Sequence, residues 1–431
     1  MARMVRFLCF IVLSSFFLAQ NALGQQADDQ VPIDFLSSAH PHSLAKVPRG
    51  HLNGQSHARF GLAGIDSIAN WNKHFDAEGV GVAFDSKGNP FPISQHVWYY
   101  SMVGNPPELG GTTEINAPIV PVSLDLRNAD GTPRFVNGKR LIYDVTPFVA
   151  PTVNSPVFQN FKYSSGDTAT QFTDAVQRAE FFDRMKPDWH TLLKPSVKAT
   201  RTMVLVQGTY RFALNGDGSC CRFVLVDADT FINELFPPAF PFDNSTAVGS
   251  AENAGDMTTK DISTFLFPNT YLYTEHDPTH CCILGFHSFD FEPGIPANGN
   301  LQRWYVMNYS SWITPGLFRG GLGDVTALSH EMSEIFNDPF VVADGIHNAT
   351  PFWVSPNGNC QNNLEVGDVI EGLPNQIFPI TMNGMTYHPQ NEALLQWFEF
   401  ESPSSALGGA YSYPNTGTLQ ALSPPQNFGC Q

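Results

Sequence analysis

Metal-compatible chemistry is concentrated in one short run, His330-Glu331-Met332-Ser333-Glu334. On a helix, His330 and Glu334 stand at i and i+4 and share one face. Imidazole and carboxylate are both good ligands for Zn2+. Glu331 is then placed to act as general base toward a water molecule, which zinc acidifies to a pKa of about 7. A third ligand is needed. Glu365-Val366-Gly367-Asp368 offers two carboxylates around a glycine that lets the chain turn tightly, so Glu365 or Asp368 is expected to complete the site. Asp338, at i+8 from His330, and His347 are further candidates. Tyr387 and His388, after Gly384, are candidate donors to an oxyanion.

The elements that would position these groups have their own signals. Gly320-Gly321-Leu322-Gly323 is a flexible entry, Asp324 a good N-cap, and Val325 to Asn337 the helix, ended by Asp338-Pro339. A second amphipathic helix is expected from Gln171 to Met185, with Phe172, Ala175, Val176, Ala179 and Phe182 on its apolar face and Pro187 just beyond. Strands are expected at Ala117–Leu126, where Pro118 and Pro121 argue for a sheet edge, and at Leu141–Val149, Met203–Gln207, Arg222–Asp227, Ile283–Phe291 and Trp304–Tyr309. Short strands are expected again from Leu394 to Phe400 and past Tyr411. His280 and His287 are expected to pack or hydrogen-bond within strands, not to bind metal. The fold class that follows is α+β: a mixed β-sheet packed on the motif helix, with an irregular, loop-rich C-terminal part.

Composition narrows the function. The 431 residues are 42% hydrophobic, enough for a sizeable core. Asp+Glu outnumber Lys+Arg by 40 to 23, a net charge of −17, which argues against a nucleic-acid partner. Residues 1–24 read as a secretory signal: Arg3 and Arg6 precede the apolar run Phe7 to Ala19, and Ala22 and Gly24 suit a cleavage site. No later stretch is long and apolar enough to span a membrane. A secreted or periplasmic protein is expected, divided into the signal, a His-containing leader or pro-segment over 25–60, an α/β body over 61–339 and a C-terminal subdomain over 340–431.

Export places the cysteines in an oxidising compartment. A bond between the Cys220/Cys221 and Cys281/Cys282 segments, with Cys360–Cys430 tying down the C-terminus, is one of 15 pairings of six cysteines. CxxC spacing for a cysteine-based zinc site is absent. Sequons begin at Asn244, Asn308 and Asn348. No GxSxG elbow is present, which argues against a serine hydrolase.

The HExxE run in a strand–helix setting resembles the zincin metallopeptidases, in a variant with Glu as the second motif ligand. Leu328 to Pro339 (LSHEMSEIFNDP), followed by Leu364 to Asp368 (LEVGD), more closely resembles a loose group of largely uncharacterised secreted bacterial proteins. DAVQRAEFF (Asp174 to Phe182) and WHTLL (Trp189 to Leu193) are similar to segments of such proteins. The resemblance implies a sheet packed on the active helix, a cleft facing the C-terminal part, a Zn2+ cofactor and a peptide or protein substrate. The alternative is a secreted binding or cell-wall-associated protein in which the motif is a structural metal site or an inactive relic.

Overall fold

The computed structural model describes residues 65–422, apart from 79–81, 85–89, 93–94, 165–167, 215–221, 238–244, 295, 297–298 and 342–346. The expected signal and leader lie outside these residues. The fold is mixed α+β. Its main sheet is built on β1 (Thr112–Arg127), β2 (His190–Val197), β3 (Arg201–Val206), β4 (Ile262–Pro268), β5 (Gly285–Glu292) and β6 (Gln302–Trp312). β1 pairs in parallel with β2 over its first half and with β3 over its second. β4 runs parallel to both β1 and β6. β5 runs antiparallel on the far side of β6, with His287 opposite Asn308.

Alternation along β6 builds two cores, because successive side chains point to opposite faces. Trp304 and Val306 enter one core. Tyr305, Met307 and Tyr309 enter the other, beneath helices α3 (Ala228–Leu235) and α4 (Ala247–Ala254). The first core is closed by α5 (Thr326–Asn337), through Leu328, Met332, Ile335 and Phe336, one stripe at helical spacing. A third core joins Trp98, Tyr100, Met102, Phe181 and Trp189 to Trp353, Leu364 and Trp397, so the C-terminal segments share an interior with the chain before residue 190.

Several local expectations need correction. β1 is an interior strand despite its prolines. Pro118 lies opposite Ser196 inside the β2 ladder, and Pro121 lies opposite Leu266 of β4, at the point where the other edge of β1 changes partner from β2, ending at Ile119, to β3, starting at Val122. Only Ile142–Tyr143 of the expected 141–149 strand is extended. Thr146–Val153 is instead helix α1, started by Pro147 and by Asp144, whose Oδ1 accepts the Thr146 N–H at 3.0 Å. Helix α2 stops at Glu180 (Phe172–Glu180). Phe182 is consequently exposed, while Phe181 is buried against Trp71 and Trp189. Leu395–Phe398 is a helical turn between the short strands Glu392–Ala393 and Ser412–Tyr413.

The sulfurs of Cys281 and Cys282 lie against each other. Cys220 and Cys221 lie outside the described residues, as does Cys430, the expected partner of Cys360, which is disulfide-bonded. The sequon residues Asn308 and Asn348 are fully buried, and their side chains are engaged in hydrogen bonds, so neither presents its amide for glycosylation in the folded chain.

Candidate metal centre

All twelve residues of α5 are buried, including His330, Glu331 and Glu334. The helix is anchored at both ends. Asp324 does not cap its second or third residue as expected. It lies at φ 35° and turns its carboxylate toward His388, whose N–H it binds at 2.8 Å and whose Nδ1 lies 2.7 Å away. His388 is thereby engaged outside the motif cluster, and Tyr387 donates its hydroxyl to the Pro151 carbonyl at 3.0 Å. Neither is an oxyanion donor at the motif. At the other end, Asn348 Nδ2 donates to the Asn337 carbonyl at 2.6 Å, and Asp338 Oδ1 accepts the Val341 N–H at 2.8 Å.

The LEVGD segment lies against the polar face of the helix. The Gly367 N–H donates to Glu334 Oε1 at 3.2 Å. A Cβ on Gly367 would stand 2.5 Å from His330 Nδ1 and 2.6 Å from Cε1. The glycine is required for close approach to the imidazole, and not for an unusual backbone angle. The turn directs its two carboxylates to different places. Asp368 joins His330 and Glu334, with ligand atoms within 4.8 Å of one another; Glu365 joins His287 and Asp338 under the same limit. His347 lies outside both groups, with its ring 5.8 Å from that of Tyr99.

Around His330, Nε2 lies 3.2 Å from Glu334 Oε1, 3.6 Å from Asp368 Oδ1 and 3.9 Å from Glu331 Oε1. His287, on β5, stands on the far side of the same carboxylates: its Nδ1 is 3.3 Å from Glu334 Oε2 and 3.4 Å from Glu331 Oε2. The sequence points to packing or hydrogen bonding for His287. In the structure neither ring nitrogen makes a hydrogen bond. Its place depends on the pairing of β5 with β6, which no local pattern encodes; the one available signal was an imidazole inside a strand too apolar to satisfy it. Gly285, two residues earlier, makes room for the base: a Cβ there would meet Glu331 Oε1 at 2.8 Å.

Burial and mutual charge set the electrostatics. Burial opposes charge on both imidazoles, yet Glu334 and Glu331 raise His330 well above its ordinary pKa, and Glu365, Glu331 and Glu334 do the same for His287. Burial also raises Glu334, but His330 and His287 outweigh it and hold this carboxyl below the usual range. For the outer carboxyls burial wins: Asp338 rises to about 7, Asp368 to about 8, and Glu365 and Glu371 well above the ordinary value.

A divalent cation fits this donor set. His330 Nε2, Glu334 Oε2, Asp368 Oδ1, Asp338 Oδ2 and both Glu365 oxygens are buried without a hydrogen-bond partner. Buried polar atoms are rarely left so, and buried charges are normally paired or bound to metal. Among the described residues, no Lys or Arg pairs with any of these carboxylates. Comparison with known proteins adds no identity: no family model, no curated protein and no solved structure matches the chain.

Proposed function

We propose that this chain is an exported, zinc-dependent hydrolase of the zincin type, acting on peptide or protein substrates. The observation that carries the reading is the convergence of His330, Glu334 and Asp368, with the Glu331 carboxylate beside them. Three protein ligands are the number that leaves a tetrahedral zinc open to solvent or substrate. When bound, zinc supplies Lewis acidity toward a carbonyl or a water molecule. Glu331 presents Oε1 toward His330 and turns Oε2 toward His287. Oε1 is therefore the atom that takes the proton from water and returns it to the leaving amine. Gly285 holds the space in which that carboxylate sits. Export rests on the signal-like residues 1–24; among the described residues, no helix is long and apolar enough to cross a membrane.

The test is Glu331→Gln in the zinc-loaded protein, assayed by mass spectrometry of cleavage products from an unfolded protein substrate. Cleavage should fall by about 10²–10⁴-fold with zinc content unchanged. Undiminished cleavage would overturn the assignment. A second reading, a structural metal site in a secreted binding protein, is favoured by the burial of every ligand, since structural sites are closed. It requires zinc retention with no cleavage by the unmodified protein.

A further inference from the structure

We propose that a second divalent cation binds beside the first, held by His287, Asp338 and Glu365, with the Glu334 carboxylate bridging the two ions. The bridge, though not the second ligand set, rests on the assignment of the first ion to His330. Glu334 carries the inference through its two oxygens. Oε1 faces His330 Nε2 at 3.2 Å and Oε2 faces His287 Nδ1 at 3.3 Å, so a single carboxylate stands between two imidazoles. One ligand atom each from His287, Asp338 and Glu365 also lies within 4.8 Å of the others.

The groups around this second position hold atoms that no hydrogen bond uses. Both ring nitrogens of His287, both oxygens of Glu365 and Oδ2 of Asp338 are buried without hydrogen bonds. Asp338 spends only Oδ1, on the Val341 N–H at 2.8 Å, which orients the carboxylate and leaves the other oxygen free. Charge points the same way. The three overlapping ligand groups bring together Glu331, Glu334, Asp338, Glu365 and Asp368 with two imidazoles. With neutral imidazoles and ionised carboxylates, one divalent ion leaves three negative charges buried, and two ions leave one. Imidazole with carboxylates suits Zn2+, Mn2+ or Fe2+, while Ca2+ and Mg2+ favour sites made of oxygen alone.

The experiment strips the mature protein with chelator, reloads it with Mn2+ or Zn2+, removes excess ion and counts bound metal by elemental mass spectrometry. Two ions per chain are expected, with an electron paramagnetic resonance spectrum of the Mn2+ form showing a coupled pair, as ions about 3.5–4 Å apart in two-metal sites would give. His287→Ala and Glu365→Gln should each reduce the count to one and abolish the coupling. One ion per chain that both variants retain would overturn the second site while leaving the His330 assignment standing. One ion lost in His287→Ala but kept in His330→Ala would overturn the pair and the proposed catalytic ligand set together. No bound ion would overturn both. The unmodified count and spectrum stand even if a variant fails to fold, and circular dichroism identifies such a variant.

Discussion

In the proposed site Gly367 and Gly285 divide metal binding from base placement, because each leaves room for a different group. A methyl at Gly367 would collide with the His330 ring, and a methyl at Gly285 would collide with the Glu331 carboxylate. Gly367→Ala is expected to weaken zinc binding about 10–100-fold, the range seen when groups that orient a ligand are disturbed; competition with a chromophoric chelator measures it. Gly285→Ala should keep zinc and lose cleavage. Equal zinc affinity in Gly367→Ala and the unmodified protein would show that the imidazole does not hold the ion. At this scale the sequence was informative where geometry is local. The pairing of His330 with Glu334 follows from helical spacing alone. The choice between Asp368 and Glu365 does not, because the turn sends them to different imidazoles, and His287 enters only through its strand's position on the sheet.

Elements are joined by a second group of buried carboxyls, remote from the motif. Glu252 on α4 faces Asp290 on β5: burial first, then Asp290 and Glu292, raise Glu252 to about 10, whereas burial raises Asp290 to about 6 with Glu252 drawing it down and Glu292 pushing it up. Both values lie above those of the unfolded chain, so the folded state holds more protons. The associated stability is present in full below the unfolded values and is lost as pH rises toward the folded ones, by about 1.4 kcal/mol per pH unit for each proton held. Between pH 6 and 8 the Glu252 contribution remains. Denaturant titration of zinc-saturated protein across that range should show a flatter decline for Glu252→Gln than for the unmodified chain; parallel declines would mean that Glu252 is already ionised. Element boundaries followed the strength of their punctuation. Asp-Pro closes α5 where expected, whereas the apolar spacing of α2 runs on past its last residue, Glu180, and points Phe182 to a buried face that it does not occupy. The edge expected from two prolines was masked by a change of ladder partner inside β1.

Across the whole molecule the motif cluster works as a clasp. It draws together α5, β5 and the 364–371 turn, and that turn carries Leu364 and Val366 into the core shared with Trp98 and Trp189. Removing the proposed metal should therefore loosen the entire structure. Ligand linkage gives about 2.7 kcal/mol of stabilisation when free zinc stands 100-fold above its Kd, a shift of a few degrees in Tm. The size of that shift depends on pH with a definite sign. In the metal-free chain, burial raises Glu365, Asp338 and Asp368 above their unfolded values. Protons are then retained on folding, and metal-free stability declines as pH rises from about 4.5 toward 8. Metal binding requires those carboxyls to be ionised, so it releases protons and tightens over the same interval. The difference in Tm between zinc-loaded and chelator-stripped protein should consequently widen from pH 5.5 to pH 8, and differential scanning calorimetry at several pH values would measure it. A difference that stays constant or narrows would mean that no proton is displaced by the ion, and hence that these carboxylates do not bind it.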